Sequence, residues 1–454
     1  MTDAVDARAY HASLRALGAR GRFGIRLGLG RTRALLHGLG DPQLALRGAL
    51  VGGTNGKGSV LALAGSALRA AGVRVGESPK PHLVSYRERL VIDGQPVDPG
   101  TFARLVNEIL PLADRVARRH GEPTEFELLT AVIFRWFAES GVDVALVEVG
   151  LGGRLDATHA WDGGVAVITN VALDHTDLLG GTIPLIAREK AAIIGRGDLA
   201  VTGAQTPALE FIRRRARRMG APLREVPPAP LIRVGRGGID VVLPTLGPTF
   251  VALRGRHQAA NVAIADATLD ALAAAGIATV SPNDRRRGYA QAVWPGRLEL
   301  VRIAGRDVLL DGAHNPAGAA ALAIALDDLR PFLTGGDAAS PPPLTLVVAS
   351  MADKDTDGTI HALLAAAAMR GATVVCTSLD VPRALPAASL AARWHALAPD
   401  LHVVTIAGAG TALDRALTTA PGPVVVAGSL YLVGDARSLL VDDPRSRDPE
   451  DSPA

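Results

Sequence analysis

The chain has 454 residues, 48% of them hydrophobic, and its 48 Lys and Arg against 45 Asp and Glu give a formal net charge of +3. This length predicts about two or three domains, the small positive excess does not demand a nucleic-acid partner, and charges interrupt the apolar runs before the ~18 residues that a membrane helix needs. The single Cys376 cannot form an internal disulfide, and the N-terminus lacks the basic and apolar regions of a signal peptide. We therefore expect a cytoplasmic protein without a membrane span.

Lysine is scarce in this chain, so that nearly every surface cation is arginine. An ammonium that must act as a compact point charge, or an amine that must be deprotonated and modified, cannot be replaced by a guanidinium. The lysines are therefore candidate functional residues. They are Lys57, Lys80, Lys190 and Lys354.

The first chemical motif is a strand, a glycine-rich turn and a helix around Lys57. Apolar residues 45–51 precede the turn Gly-Gly-Thr-Asn-Gly-Lys-Gly, and an alanine-rich stretch follows it. In such a turn backbone N–H groups approach phosphate oxygens, lysine reaches the terminal phosphates and a hydroxyl holds magnesium. Val51 and Gly58 break the strict Walker pattern, so we expect Ser59 to supply the hydroxyl. The alternative is a plain glycine-rich turn with an exposed lysine. The predicted triphosphate-binding residues are Thr54, Asn55, Gly56, Lys57, Gly58 and Ser59.

Apolar runs separated by helical stretches predict an α/β protein with two units of buried parallel strands. The predicted strands are residues 73–76, 142–148, 165–170 and 199–202 in the first unit and 298–303, 308–310, 344–349, 373–377, 401–406 and 424–427 in the second. Turn signals over 280–295 predict the boundary. We therefore expect an N-terminal domain over 1–295, a C-terminal domain over 296–440, a surface loop over 334–343 and a polar, disordered tail over 441–454.

Functional side chains follow two of the predicted strands. Glu148 ends the strand over 142–148 and precedes a glycine-rich turn, while His175 follows the next strand and Lys190 lies on the helix after it. Ligands bind at the carboxyl edge of a parallel sheet, so we expect these three residues to converge behind the phosphate loop. Each has a simpler alternative. Glu148 would be a salt-bridged strand end, His175 a helix cap or packed loop residue, and Lys190 a plain helix lysine paired with Glu189.

Five arginines lie within residues 213–218 on a predicted helix. No aromatic residues interleave with them to stack bases, so a solvated helix face is the favoured interpretation. The alternative is a nucleotide-dependent nucleic-acid-binding ATPase.

A series of short motifs in a fixed order resembles folylpolyglutamate synthases and dihydrofolate synthases, members of the Mur ligase superfamily. The resemblance covers most of the chain and implies a P-loop ATPase domain, a smaller Rossmann-like C-terminal domain and ATP held between them. The matching motifs are Leu27-Gly-Leu-Gly30, the phosphate loop, Pro81-His-Leu83, Tyr86-Arg-Glu-Arg89, Phe126-Glu127, residues 148–158, Leu173-Asp-His-Thr176, Arg188-Glu-Lys190, His257-Gln-Ala-Ala-Asn261, Pro295-Gly-Arg297, Asp311-Gly-Ala-His-Asn-Pro316, Asp353-Lys-Asp355 and Gly428-Ser-Leu-Tyr431.

The reaction that this resemblance implies joins L-glutamate to dihydropteroate or to a reduced folate, with ATP and Mg²⁺ as cofactors. A carboxylate resists amine attack because oxide is a poor leaving group, so ATP would first convert it into an acyl phosphate. Preorganised cations stabilise the transferring phosphoryl group. The sequence does not separate the two activities, and a Mur-type ligase for another acid is a further alternative. We expect small-molecule substrates and a monomer.

The resemblance also implies roles for individual residues. Ser59 and Glu148 would hold Mg²⁺, and His175 would contribute to a second ion. Lys190 matches a lysine that the superfamily carries in carbamylated form, which only an amine can become. The implied catalytic residues are Lys57, His175 and Lys190, and the implied ATP contacts beyond the loop are Asn261, Arg297, Asp311 and His314.

The implied contacts with the substrates lie in four motifs. Phe126 would stack on the pterin ring, and Asp156 would accept from pterin N–H groups, although a helix N-cap is its equal alternative. Lys354 would bind L-glutamate or pair with a neighbouring aspartate. The implied substrate residues are Lys80, His82, Thr124, Phe126, Asp156, Ala157 and Lys354.

Lys80 is a departure from the family pattern, which usually has a serine before the Pro-His-Leu motif. Because lysine is so scarce here, we expect the Lys80 ammonium to contact phosphate or to replace a cation. His159 also stands where the family usually has asparagine.

Overall fold

A computed structural model describes residues 2–21, 24, 26–333 and 342–450. The chain forms two compact units, the first comprising Met1–Pro228, Asn261–Gly288 and Arg445–Ala454 and the second Ala229–Ala260 and Tyr289–Pro444. The chain therefore passes between the units four times, at 228/229, 260/261, 288/289 and 444/445. The simpler division at residue 295 stays a prediction. Residues 334–341 of the expected loop and 451–454 of the expected tail lie outside the described residues.

The first unit is built on an eight-stranded sheet with the order β4-β3-β2-β5-β1-β6-β7-β8, parallel from β2 to β8. β1, β2 and β5 are buried along their whole length, as parallel strands covered on both faces should be. All four strands predicted for this unit are present, with small shifts at their ends. The strands are β1 (Gly48–Gly52), β2 (Val75–Ser78), β3 (Val91–Ile92), β4 (Gln95–Pro96), β5 (Val144–Glu148), β6 (Gly164–Ile168), β7 (Leu199–Thr202) and β8 (Leu223–Glu225).

Helices enclose an apolar core in the first unit that includes Leu50, Phe102, Phe134 and Val147. Burying this apolar surface is the main favourable term for the unit. The helices from the N-terminus to residue 291 are α1 (Thr2–Gly21), α2 (Gly30–Gly38), α3 (Lys57–Ala70), α4 (Pro99–His120), α5 (Glu125–Glu139), α6 (Thr176–Leu179), α7 (Ile183–Ala191), α8 (Ala208–Met219), α9 (Gln258–Ala274) and α10 (Pro282–Gln291), with short 3₁₀ helices at Pro42–Ala45, Tyr86–Arg89 and Ala157–Ala160.

The second unit contains a six-stranded sheet with the order β12-β13-β17-β14-β15-β16, in which only β12 is antiparallel to its neighbour. All six strands predicted here are present, which confirms the α/β fold class. The strands are β12 (Glu299–Ile303), β13 (Arg306–Leu310), β14 (Thr345–Val348), β15 (Thr373–Cys376), β16 (His402–Thr405) and β17 (Val424–Ala427), and the helices are α11 (Pro316–Leu329), α12 (Thr356–Leu364), α13 (Ala387–Leu397), α14 (Ala409–Thr419) and α15 (Leu430–Leu440), with 3₁₀ helices at Arg330–Phe332 and Ala367–Met369.

A three-stranded antiparallel sheet, which the sequence analysis did not predict, precedes the six-stranded sheet in the second unit. Its strands are β9 (Leu231–Gly235), β10 (Gly238–Leu243) and β11 (Gly247–Val251), in the order β11-β10-β9.

Three of the five arginines in residues 213–218 contact other residues of the first unit. Arg213 pairs with Glu225 at 2.6 Å, and Arg215 donates to two backbone carbonyls. Arg214 lies 5.6 Å from the ring centroid of Phe211. These contacts agree with the favoured interpretation of a solvated helix face. Among the described helices, none combines the length and apolar content that a membrane crossing requires.

Candidate active site

The phosphate loop joins β1 to α3, which begins at Lys57. Gly56 has φ 82°, and a Cβ there would lie 2.4 Å from Asn261 Oδ1. Gly53 has φ 144°, and its Cβ would lie 1.9 Å from Thr169 Oγ1. Both positions therefore require glycine for backbone conformation and for space. The packing of Gly56 against Asn261 places one predicted ATP contact beside the loop.

The two residues that follow β6 form hydrogen bonds with the phosphate loop. The backbone N–H groups of Thr54 and Asn55 donate to the carbonyl oxygen and Oδ1 of Asn170, at 3.0 and 2.9 Å. Thr169 Oγ1 donates to the Asn55 carbonyl oxygen at 2.6 Å. In the sequence, Thr169 and Asn170 were predicted only as the end of a strand. Their position at the carboxyl end of a strand beside β1 was the signal that could have marked them.

Glu148 lies next to the loop because its backbone is registered against Val51 in the parallel pairing of β5 with β1. Its side chain is 4% exposed, and Oε1 lies 3.7 Å from Lys57 Nζ. Lys57 Nζ also donates to the carbonyl oxygen of Thr54 at 3.0 Å. A buried carboxylate and an ammonium therefore stand together at the start of α3.

Lys80 is directed at the strand end that carries Glu148. Its backbone N–H donates to Glu148 Oε2 at 3.0 Å, while Nζ donates to the Glu148 carbonyl oxygen at 2.8 Å and to Ser78 Oγ at 3.2 Å. Nζ also lies 5.6 Å from the ring centroid of Phe126. Burial lowers the pKa of Lys80 to about 8, opposed by the charges of Asp156 and Glu148. Its expected contact with phosphate stays a prediction.

Lys190 lies on α7 with its Nζ donating to the Gly53 carbonyl oxygen at 2.8 Å. Burial, with a smaller contribution from Lys57, lowers the pKa of Lys190 to about 7. Glu189, its partner in the simpler interpretation, is bonded at Oε1 by Arg154 at 2.8 Å. The amine of Lys190 therefore faces the phosphate loop, and a large share of it is neutral near pH 7.

His175 precedes α6 in a left-handed conformation, with φ 49°. Its backbone N–H donates to Asp174 Oδ1 at 2.9 Å, and its Nε2 lies 3.9 Å from the same oxygen. The negative charge of Asp174 also opposes the lowering of the Lys190 pKa. Asp174, which the sequence analysis did not select, thus acts on both predicted catalytic residues, whose convergence with Glu148 stays a prediction.

Thr124 and Asp156, two predicted substrate residues, both cap helices. Thr124 Oγ1 accepts from the Glu127 N–H at 3.3 Å in a capping box that begins α5. Asp156 accepts from the Thr158 N–H at 3.0 Å and thereby caps the 3₁₀ helix that starts at Ala157. It also accepts from the Leu151 N–H at 2.8 Å. The N-cap alternative for Asp156 therefore has direct contacts in its favour.

Phe126 and His82 are two further predicted substrate residues. Phe126 is half-buried, and a Cβ on Gly150 would lie 2.7 Å from its Cζ. His82 Nδ1 accepts from Arg89 Nε at 2.8 Å, and its ring centroid lies 4.2 Å from that of Tyr86. Burial and the adjacent Arg89 lower the pKa of His82 to about 3. The imidazole is therefore neutral at physiological pH.

The second unit brings three predicted ATP-binding residues together. Asp311 accepts from two backbone N–H groups, both at 2.9 Å, one of them that of Leu298. Burial raises the pKa of Asp311, and the charge of Arg297 opposes this shift. His314 Nδ1 lies 2.7 Å from the Gly312 carbonyl oxygen, and a Cβ on Gly312 would lie 2.4 Å from Arg297 Nη1. The three side chains therefore surround one short segment after β13.

Lys354 precedes α12 in the second unit. Asp353, one partner in its simpler interpretation, bonds Arg383 at 2.9 Å. Asp355, the other, caps α12 by accepting from the Gly358 N–H at 2.9 Å. Both neighbouring carboxylates thus have roles apart from Lys354, whose binding of glutamate stays a prediction.

Known proteins resemble this chain over nearly its whole length. A family model described as Mur ligase, glutamate ligase domain, matches residues 296–430. The dihydrofolate synthase/folylpolyglutamate synthase of Mycobacterium tuberculosis is 37% identical, covering 92% of this chain and 91% of that protein. The chain belongs to the folylpolyglutamate synthase/dihydrofolate synthase family. It is an ATP-dependent ligase of the Mur type.

Solved structures of this ligase family share the fold. The M. tuberculosis folylpolyglutamate synthase complexed with ADP aligns with a TM-score of 0.86 at 33% identity, over 97% of this chain and 100% of that one. E. coli FolC in complex with DHPP and ADP aligns with a TM-score of 0.79 at 31% identity, over 96% and 98%. These likenesses favour the ligase prediction over the nucleic-acid ATPase alternative.

Proposed function

We propose that this ligase forms an amide between the carboxylate of a pterin-bearing acid, dihydropteroate or a reduced folate, and the amino group of L-glutamate. The supporting observation is that the Lys57 ammonium lies 3.7 Å from the buried Glu148 carboxylate at the phosphate loop. The relatives described above support the same reaction. The relative from M. tuberculosis is named for both activities, and the E. coli structure holds DHPP with ADP. We therefore propose a bifunctional enzyme, and we further propose that it acts as a monomer.

ATP activates the acid in the first step of the proposed reaction. The acid carboxylate attacks the γ-phosphorus, the bond to ADP breaks, and an acyl phosphate forms. Lys57 and the loop N–H groups stabilise the charge on the transferring phosphoryl group. The N–H groups of Thr54 and Asn55 donate to Asn170, which fixes the loop backbone, so this role falls to the N–H groups that follow them in the loop. The glutamate amine then attacks the acyl carbon, and phosphate leaves.

Mg²⁺ fits the donors at the phosphate loop. Among residues 2–21, 24, 26–333 and 342–450, no group of three or more His, Cys, Asp or Glu side chains forms a metal site. Mg²⁺ with a nucleotide, however, takes only one or two carboxylates and completes its shell with phosphates and waters. Glu148 and the buried Ser59 hydroxyl would be the protein ligands of the ion. When bound there, the ion would neutralise negative charge on the triphosphate.

Lys190 suits the proposed carbamylation. A neutral amine is the form that reacts with CO2, and burial lowers the pKa of Lys190 to about 7. The product is an anion in place of a cation, which would no longer repel Lys57. We propose that this carbamate and His175 would hold a second Mg²⁺.

The remaining predicted residues receive the substrates. Phe126 offers a half-buried aromatic face to the pterin ring, and the neutral His82 can donate through Nε2 while Nδ1 accepts from Arg89. In the second unit, Lys354 receives L-glutamate. The other proposed contacts are Lys80, Thr124, Asp156 and Ala157 for the acid and Gly56, Gly58, Asn261, Arg297, Asp311 and His314 for ATP.

The deciding experiment incubates the purified protein with ATP, Mg²⁺ and L-glutamate and adds dihydropteroate or a reduced folate separately. Release of ADP and the mass of the product are followed together. A gain of one glutamyl unit on both acids is the expected result. Gain on one acid alone would assign a single activity, and ADP release without product from either would overturn the folate assignment in favour of a Mur-type ligase for another acid.

A further inference from the structure

Residues 445–450, which follow the second unit in the chain, pack against the first unit. We call them the 445–450 segment. Their composition is polar and charged, yet they contact buried side chains more than 350 positions earlier in the sequence. Some of these contacts are with Tyr10 and His11 of α1, and the others are with residues 82–89, which we call the 82–89 loop.

Asp448 provides the central contact. Its Oδ1 accepts from the Tyr10 hydroxyl at 2.7 Å and from Ser85 Oγ at 2.5 Å. Tyr10 and Ser85 are both 0% exposed. A carboxylate oxygen only accepts hydrogen bonds, so it satisfies two buried hydroxyl donors at once. The two hydroxyl oxygens are also 3.4 Å apart.

Arg87 of the 82–89 loop makes the second set of contacts. Its Nη2 donates to the carbonyl oxygens of Arg445 and Arg447, at 3.2 and 2.7 Å. Its Nε lies 3.7 Å from Asp448 Oδ1, and its side chain is 9% exposed. A buried guanidinium is costly unless it is paired and hydrogen-bonded. The 445–450 segment supplies both the carbonyl acceptors and the negative charge.

Hydrogen bonds within the 82–89 loop connect Ser85 and Arg87 to the rest of the loop. The Glu88 carboxylate accepts from three successive backbone N–H groups, those of residues 83–85, at 2.7 to 2.9 Å. Arg89 Nε donates to His82 Nδ1 at 2.8 Å. The loop is therefore one hydrogen-bonded body, with Ser85 and Arg87 held by the 445–450 segment and His82 at its beginning.

We propose that Asp448 is a positioning residue that fixes the 82–89 loop, and through it His82, for the acid substrate. This inference rests on the proposed function, because it takes His82 as a substrate contact. The loop keeps its own Glu88 bonds when Asp448 is altered. Loss of Asp448 should therefore displace the loop without unfolding the enzyme, and should weaken binding of the acid rather than that of ATP.

The test compares Asp448→Ala and Asp448→Asn with the wild type in the full-length enzyme. Asn keeps an oxygen acceptor for the two hydroxyls but loses the charge beside Arg87. Glu450→Gln is the matched control, because Glu450 is an exposed acid of the same segment. The measurements are hydrogen–deuterium exchange of the peptide that contains residues 82–89, the KM for the acid and for ATP, and kcat.

We expect Asp448→Ala to accelerate exchange in the 82–89 loop and to raise the KM for the acid about tenfold, the effect of losing one hydrogen bond to a charged group. The KM for ATP and kcat should change little, Asp448→Asn should recover part of the loss, and Glu450→Gln should resemble the wild type. Unchanged exchange in Asp448→Ala, or an equal rise in both KM values, would overturn the inference.

The same experiment separates this inference from the proposed function. A wild-type enzyme that adds glutamate to neither acid would refute the proposed function. Faster exchange of the 82–89 loop in Asp448→Ala would then still support its attachment through Asp448, and unchanged exchange would refute it.

Discussion

Lys80 and Glu148 are joined at two points, by the Lys80 backbone N–H to Glu148 Oε2 at 3.0 Å and by Lys80 Nζ to the Glu148 carbonyl oxygen at 2.8 Å. Only the second bond depends on the identity of the side chain. The serine that the family usually has at this position would preserve the first bond and lose the second. The Lys80 ammonium thus secures the strand end that presents the predicted metal ligand.

Replacing Lys80 with serine should lower kcat/KM for the acid about tenfold, because one charge-assisted hydrogen bond to the Glu148 carbonyl and the cation beside Phe126 are lost. Lys80→Met keeps an apolar stem without the ammonium, so it separates the loss of both Nζ contacts from the loss of side-chain bulk. Steady-state kinetics at several Mg²⁺ concentrations provide the measurement. Unchanged activity and unchanged Mg²⁺ dependence in Lys80→Ser would refute a role for the ammonium.

Glu148→Gln should reduce kcat by roughly 10²–10³, the effect of removing one preorganised electrostatic group from a transition state. The amide oxygen of glutamine can still accept from the Lys80 N–H, so the local fold should persist. A titration with Mg²⁺ should show a higher requirement, while nucleotide binding measured without metal changes little. Wild-type kcat and Mg²⁺ dependence in this variant would remove Glu148 from the metal site.

Activity should depend on CO2 through Lys190. Its pKa is lowered to about 7, so the amine is mostly neutral at pH 8 and mostly protonated at pH 6. Only the neutral form traps CO2, and carbamylation should therefore fall as the pH drops through 7. Bicarbonate labelled with ¹³C should give a carbamate NMR signal in the wild type and none in Lys190→Arg, which should also be inactive. Full activity in CO2-free buffer, with no such signal, would contradict carbamylation.

Asp198→Asn should stabilise the folded protein at neutral pH. Burial, with the nearby Asp162, raises the pKa of Asp198 to about 6. The Asp198 carboxyl holds its proton more tightly in the native state than in the unfolded state. The free energy of unfolding of the wild type therefore falls as the pH rises from about 4 to about 6. Asparagine removes this loss and can still accept from the Gly195 N–H.

The expected gain for Asp198→Asn is about 1 kcal/mol at pH 8, allowing for partial solvent screening, and close to zero below pH 4. Thermal unfolding at pH 4, 6 and 8 provides the measurement, with the exposed Asp400→Asn as the control. A gain that is the same at all three pH values would point to a cause other than ionisation of Asp198.

The strands of the two large sheets could be predicted because each is a short apolar run buried on both faces. The sheet of β9 to β11 could not, since β9 is largely exposed and charged residues such as Arg233 and Asp240 pair across its strands. Composition also predicts disorder for residues 441–454. Composition could not predict the hydrogen bond that Asp448 accepts from Tyr10, because the two residues are 438 positions apart in the sequence.

The candidate site was predictable where chemistry follows from position in the chain, as it does for Lys57 in the glycine-rich turn after β1 and for Glu148 at the end of the neighbouring β5. The partners of Lys80 and Lys190 were not, because both side chains bond backbone carbonyls that only the tertiary fold brings near. Asn170 could have been selected from its position at the carboxyl end of a strand, but its bonds to the N–H groups of Thr54 and Asn55 form only in the folded chain.

Four crossings of the chain between the units have a practical meaning for protein engineering. A fragment that ends at residue 295 would retain β9 to β11 without the rest of their unit, and it would lack the 445–450 segment that satisfies Tyr10 and Arg87. A chimera of two family members that exchanges whole units must therefore transplant residues 229–260 together with 289–444, and leave 445–450 with the recipient.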